Sequence, residues 1–168
     1  MRKGILVPFD GSENATAALR EAAIIGEALG EQLVVLNVQP RYQTMHVKMF
    51  FSEKDIEAYQ RQQAKEVLAP AEEFLQGRKA AFVTKMRAGN FVEEICAEAD
   101  ANIEGCGDNG ARYIVMGYRG MNPVFGGLLG SVSYGVLHHA KCPVHLVPPI
   151  CTAVPVFELP PNPPSELP

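Results

Sequence analysis

The chain has 168 residues, 47% of them hydrophobic and 20% charged, which suits one packed domain and excludes a disordered or fibrous chain. Its net charge of −4 offers no basic footprint for nucleic-acid phosphates. The apolar run after the basic start Met1-Arg2-Lys3 stops at Pro8, too short for a secretory signal, and no segment is long enough to span a membrane. The expected location is therefore the cytoplasm. Cys96, Cys106, Cys142 and Cys151 have no C-x-x-C spacing, so reduced thiols are expected.

Gly4 to Phe9 is a continuous apolar run, as in a central parallel strand. Asp10-Gly11-Ser12 is a turn, and Ser12 is placed to cap a helix that carries Ala15, Ala18, Leu19, Ala22, Ala23, Ile25, Gly26 and Leu29 on one face and ends near Gly30. Leu33 to Val38 is a second strand. Gln39 to Phe51 has no clear period and reads as a loop tucked onto the sheet edge; a lid or partner surface is the alternative. Glu53 to Leu75 is predicted helical, with Pro70 kinking it or starting a new turn. Ala81 to Met86 is a third strand, and Lys85 inside it points to a sheet edge. Gly89-Asn90 opens a helix with Val92, Ile95, Cys96 and Ala99 inward. Gly105 to Gly110 fits G-x-G-x-x-G, but it follows a helix and precedes a strand. That order is the reverse of a dinucleotide fingerprint, so it reads as a helix stop and turn.

Arg112 to Met116 supplies a fourth strand ending in Gly117. A loop with Gly120, Gly126 and Gly127 leads to Gly130-Ser131, where a helix begins with Val132, Val136, Leu137 and Ala140 at helical spacing. Pro143 ends it, and Val144 to Val147 is a fifth strand. Residues 149–168 are proline-rich and are expected to be an extended or disordered tail outside a domain of residues 1–148; their P-x-x-P pairs fit a polyproline ligand only weakly.

Two segments suggest chemistry. The loop from Gly117 to Gly130 lets the backbone approach a ligand and aims helix N–H groups at one spot, which suits a phosphate; a loop that needs glycine only to turn is the competing explanation. Ser131 can cap that helix or donate to a phosphate oxygen. Asp10 is either a ribose acceptor or an ordinary helix-starting aspartate. Arg119 adds positive charge to the loop or is merely exposed. His138 and His139 point roughly 100° apart on a helix, unlike a metal pair. No catalytic triad, Cys-His pair or Walker A sequence is present, so no catalytic or metal-ligating side chain is expected.

Gly117-x2-Gly120-x9-Gly130-Ser131 resembles the nucleotide signature of the universal stress protein family. Ile5-Leu6-Val7-Pro8-Phe9-Asp10-Gly11-Ser12, Ile114-Val115-Met116-Gly117, Gly130-Ser131-Val132-Ser133 and Cys142-Pro143-Val144 resemble its other conserved stretches, over about residues 1 to 148. The resemblance implies a five-stranded, mostly parallel sheet of order 3-2-1-4-5 with helices on both faces, in the Rossmann-like α/β class. It implies ATP as ligand, with Mg²⁺ held mainly by the phosphates. Asp10 would meet the ribose, Val38 the adenine, and Met116 and Gly117 the adenosine. Gly120, Gly130, Ser131, Val132 and Ser133 would cradle the phosphates, with Pro8 and Arg119 completing the set. A homodimer through Val144–Val147, AMP as a further ligand, an unidentified protein partner and slow or absent hydrolysis are also expected. A dimeric adaptor without nucleotide, or an enzyme of the same superfold, remain alternatives. Against the latter, an ATP pyrophosphatase would carry an SGGxDS-like loop where this chain has Pro8-Phe9-Asp10-Gly11.

Overall fold

The computed structural model describes residues 4–41, 50–101, 110–119 and 129–148. Gly120, most of the 39–51 connection, the Gly105-to-Gly110 turn (apart from Gly110) and the tail 149–168 lie outside the described residues. The elements in chain order are β1 (Ile5–Pro8), α1 (Glu13–Leu29), β2 (Leu33–Gln39), α2 (Glu53–Gln76), β3 (Phe82–Ala88), α3 (Phe91–Asp100), β4 (Tyr113–Gly117), α4 (Ser131–His139) and β5 (Val144–Val147). The sheet runs β3-β2-β1-β4-β5, and every pairing is parallel.

Alternation along the strands sorts the core into two layers. Ile5, Val7, Leu33, Val35 and Val115 pack with α1 and α2 through Ala18, Leu19, Ala22, Leu68 and Leu75. Leu6, Val34, Leu36, Ile114 and Met116 pack on the other face with Ile95 and Ala99 of α3 and Val136 of α4. Buried on both sides, these strands are apolar throughout, which is why periodicity reads them as runs rather than alternations.

Ser12 caps α1 by accepting from the Ala15 N–H, Ser52 and Asp55 form a capping box at α2, and Asn90 accepts from Val92 and Glu93 at α3. Pro70 does not end α2, which runs unbroken from Glu53 to Gln76. The proline is exposed, so water can serve the carbonyl it leaves unbonded. Leu137 shares the helical spacing of Val132, Val136 and Ala140 but is 49% exposed. Val136, fully buried, takes the inward position, and the next residue falls about 100° around the helix.

β3 is an edge strand, as Lys85 indicated. Lys85 Nζ and Arg87 Nε reach Glu98 of α3 at 3.0 and 2.6 Å, and Arg87 also pairs with Glu94 at 3.3 Å. At the lower end of the sheet the buried Glu31 carboxylate accepts from the Gly4 N–H and pairs with Arg112 at 2.8 Å. Arg112 in turn donates its backbone N–H to Gly4 O at 2.8 Å.

β1 follows β2 over four register pairs but follows β4 only at Ile5↔Tyr113 and Leu6↔Ile114. Pro8 accounts for the parting. In a parallel ladder successive residues present their N–H and C=O to alternate neighbours. Ile5 and Phe9 donate towards β2, to Gln32 O and Leu36 O, so the nitrogen of Pro8 faces β4 and has no hydrogen to give. The sheet therefore opens between β1 and β4 above this point.

Candidate functional site

The opening lies at the carboxyl ends of the strands, where the chain order reverses between β1 and β4. Open α/β sheets place ligands at such a crevice. A cavity of about 440 Å³ occupies it. Pro8, Asp10, Val38, Met116, Gly117, Arg119, Gly130, Ser131, Val132 and Ser133 all line it, so every expected site residue among the described ones comes to one place. Gly120 lies outside the described residues.

The two lips differ in charge. On the β1 lip, Asp10 accepts from the Ser12 N–H at 3.0 Å through Oδ1, and Glu13 stands in the first turn of α1. On the β4 lip, α4 begins at Gly130 with no side-chain cap and no acidic residue in its first turn. The N–H groups of Ser131, Val132 and Ser133 fall where the helix itself supplies no acceptor. Arg119 lines the same side, and among the described lining residues Asp10 and Arg119 are the only charged ones. The β1 lip of the cavity is thus negative and the β4 lip positive.

Two glycines have packing reasons as well. A Cβ on Gly117 would lie 2.8 Å from the backbone of Asn14, so glycine lets the first turn of α1 rest on the end of β4. A Cβ on Gly130 would lie 3.2 Å from Arg119 Cα, and the Gly130 N–H closes the loop by donating to Tyr118 O at 3.1 Å. Ser133 is 2% exposed, and its hydroxyl donates to Gly117 O at 3.0 Å, fastening α4 to β4.

The β2 side holds residues that motif spacing does not single out. Leu36 O accepts from Phe9 and Gln39 O accepts from Gly89 of the β3 side. By alternation Val38 therefore presents its N–H and C=O to the β1 side, above the point where β1 departs. The Val38 N–H does not close the ladder. Phe9 O is instead taken by the Asn37 side chain, Nδ2 to O 2.8 Å, and Asn37 Oδ1 accepts from Gln39 Nε2 at 2.7 Å. Asn37 was visible in the sequence as the first polar residue after four buried apolar ones. Phe91 and Ile95 of α3 and Gln63 and Val67 of α2 complete the wall, and nothing in local spacing could place these distant helices there.

His138 and His139 lie outside this cavity; their rings meet Tyr134 OH and Gly135 O within α4. Among the described residues no cluster of His, Cys, Asp or Glu is placed to hold a metal ion. Cys96 is half-buried and Cys142 buried, and burial together with the nearby Asp100 pushes the Cys96 thiol up. No described helix is long and apolar enough to cross a membrane.

A parallel α/β sheet with a cavity at its switch point, between an acidic turn and an uncapped helix N-terminus, defines an α/β domain of the doubly wound class. The family model described as the universal stress protein family matches residues 1–148, and the chain belongs to that family. Hypothetical protein MJ0577, whose biochemical function was assigned from its structure, is 26% identical with a TM-score of 0.74, over 90% of this chain and 99% of that one. UspA from Lactobacillus plantarum is 26% identical with a TM-score of 0.72, over 88% and 99%. Three more distant structures share the fold and were solved with nucleotides. They are a family member from Arabidopsis thaliana with AMP (14% identity, TM-score 0.59, over 92% and 97%), one from Archaeoglobus fulgidus with dAMP (21%, 0.59, over 87% and 97%) and one with cAMP (20%, 0.57, over 89% and 98%). Curated proteins give no sequence match.

Proposed function

We propose that this protein binds an adenine nucleotide, ATP or AMP, in the seam between β1 and β4, and that the bound nucleotide sets a regulatory state. The observation that carries this reading is that residues of both separated motifs line a single cavity, with an acidic residue on the β1 lip and a basic one on the β4 lip. The charge distribution orients the ligand. Phosphates belong at the α4 N-terminus with Arg119, and ribose hydroxyls belong at Asp10, whose carboxylate would repel a phosphate. The outward N–H and C=O of Val38 form a donor–acceptor pair that matches N1 and the N6 amino group of adenine. The nucleotides in the three distant relatives support the ligand class. Mg²⁺ would enter with ATP, held mainly by its phosphates and water.

Turnover is slow or absent in this reading. Among the described lining residues Asp10 is the only carboxylate and there is no imidazole, and in this reading Asp10 is taken up by the ribose, which leaves no base to activate a water. We further propose a homodimer through β5, and cytoplasmic action with a protein partner that responds to the bound state.

Calorimetry with ATP and Mg²⁺ on nucleotide-free protein tests the reading. Binding is expected, with a rise in Tm by linkage, and absence of binding overturns it. Asp10→Ala removes the ribose acceptor and is expected to weaken binding about tenfold or more, as for a lost charge-assisted hydrogen bond. Steady hydrolysis at about 1 s⁻¹ or faster would contradict the regulatory reading.

A further inference from the structure

The polar side chains on β2 have no role in the family motif, yet they stand at the wall of the cavity. We infer that Asn37 and Gln39 are positioning residues for base recognition: their side-chain relay holds the β1–β2 ladder open by one rung and keeps the Val38 backbone free to read the base. This rests on the adenine-nucleotide reading above.

A regular continuation of the ladder past Pro8↔Leu36 would send the Val38 N–H to Phe9 O. Asn37 occupies that acceptor instead, at 2.8 Å. The orientation of the relay follows from its first member. A carbonyl can only accept, so Asn37 must offer its NH₂ to Phe9, which leaves its own oxygen as acceptor. Gln39 must then present its NH₂ to Asn37 Oδ1, as it does at 2.7 Å. Asn37 is 3% and Gln39 9% exposed, so neither amide is free to swing into solvent. Two buried carboxamides at the carboxyl end of an otherwise apolar core strand are costly without a purpose, because an apolar pair with a closed ladder would satisfy every backbone group there. The relay also fixes Phe9, the residue that precedes Asp10, so it bears on both the base and the ribose ends of the lip.

The test uses the full chain with Asn37→Leu, which keeps the volume and removes the donor. Phe9 O then falls to the Val38 N–H and the rung closes. Two readouts follow. By NMR without nucleotide, the Val38 amide is expected to exchange with solvent much faster than that of Leu36 in the wild type, and to become protected in Asn37→Leu. By calorimetry, the wild type is expected to prefer ATP over inosine triphosphate by about tenfold or more, since inosine inverts the donor and acceptor at the 6 and 1 positions of the base. Asn37→Leu is expected to bring that ratio to about threefold or less, and Gln39→Leu to an intermediate value. A general packing role would weaken both nucleotides together and leave the ratio intact, which would overturn the inference. So would a wild-type Val38 amide as protected as Leu36. If Asn37→Leu fails to fold, Gln39→Leu and the wild-type exchange data decide. Wild type that binds neither nucleotide refutes the adenine-nucleotide reading itself, and the exchange result still judges the relay.

Discussion

The two edges of the sheet are built differently. β3 is guarded: Lys85 and Arg87 extend from it to Glu98 and Glu94 of α3, and Thr84 donates to Glu72 of α2 at 2.8 Å. A second strand docking there would meet charge and would have to strip a buried carboxylate of its partners. β5 carries Val144, His145, Leu146 and Val147, with no acidic residue, lysine or arginine. Its apolar side chains are only partly covered by the described chain. Among the described residues one edge is closed chemically and the other carries no such charge, the contrast that the proposed pairing through β5 rests on.

The sharpest way to break this contrast is to move charge onto β5. If β5 pairs with its copy across a two-fold axis, Val147→Asp buries an unpaired carboxylate, and association should weaken about a hundredfold or more, roughly 3 kcal/mol. Light scattering at high micromolar concentration should give a dimer mass for the wild type and a monomer mass for the variant. A wild-type monomer would refute the pairing. Removal of residues 150–168 should leave the dimer in place; association that appears only after truncation would mean that the tail covers the edge.

The guarded edge has a smaller, pH-dependent test. Burial pushes the Glu98 carboxyl up, but hydrogen bonds from Lys85 and Arg87 and their charges outweigh it and hold it below the usual glutamate range. A carboxyl depressed in the folded state stabilises the fold above its unfolded value of about 4.3. That contribution drains away as pH falls through the lower folded value. Glu98→Gln should therefore cost about 2 kcal/mol near pH 7, and its urea midpoint should fall less steeply than that of the wild type below about pH 4.5. Parallel acid profiles for the two proteins would contradict this. The smallest effect belongs to Glu57 and Arg61, an i,i+4 pair at 3.3 Å with both side chains more than half exposed. Glu57→Gln should change stability by less than about 0.5 kcal/mol in a urea titration.

The apolar runs and helix caps made the element order legible, because buried parallel strands and Ser or Asn caps leave local signals. Lys85 alone marked β3 as an edge. Strand order did not follow from any run, since neighbours in a parallel sheet are set by distant crossovers; it came with the family resemblance. Spacing pointed to the Gly117–Gly130 loop and Ser131, and the rest of the motif residues from Pro8 to Ser133 came with the family resemblance. What each one touches could be read from neither. Ser133 reads as a phosphate ligand in a linear motif, while its hydroxyl is spent on Gly117 O. Phe91, Gln63 and Val67 reach the cavity from helices whose placement is purely tertiary. Asn37 was conspicuous as a polar residue in a core strand, but its purpose depends on the ladder stopping at Pro8, which needs the register.

The Glu31 contacts at the foot of β1 and β4 give the seam a mechanical character. Gly4, Glu31 and Arg112 rivet the lower ends together, while Pro8 leaves the upper ends unjoined. The upper end is not loose, because the first turn of α1 rests on Gly117 at the end of β4 and spans the gap on one face. The seam is therefore a notch with a riveted foot and a helix for its back wall, and a guest is admitted from the carboxyl edge of the strands without any strand pairing having to break.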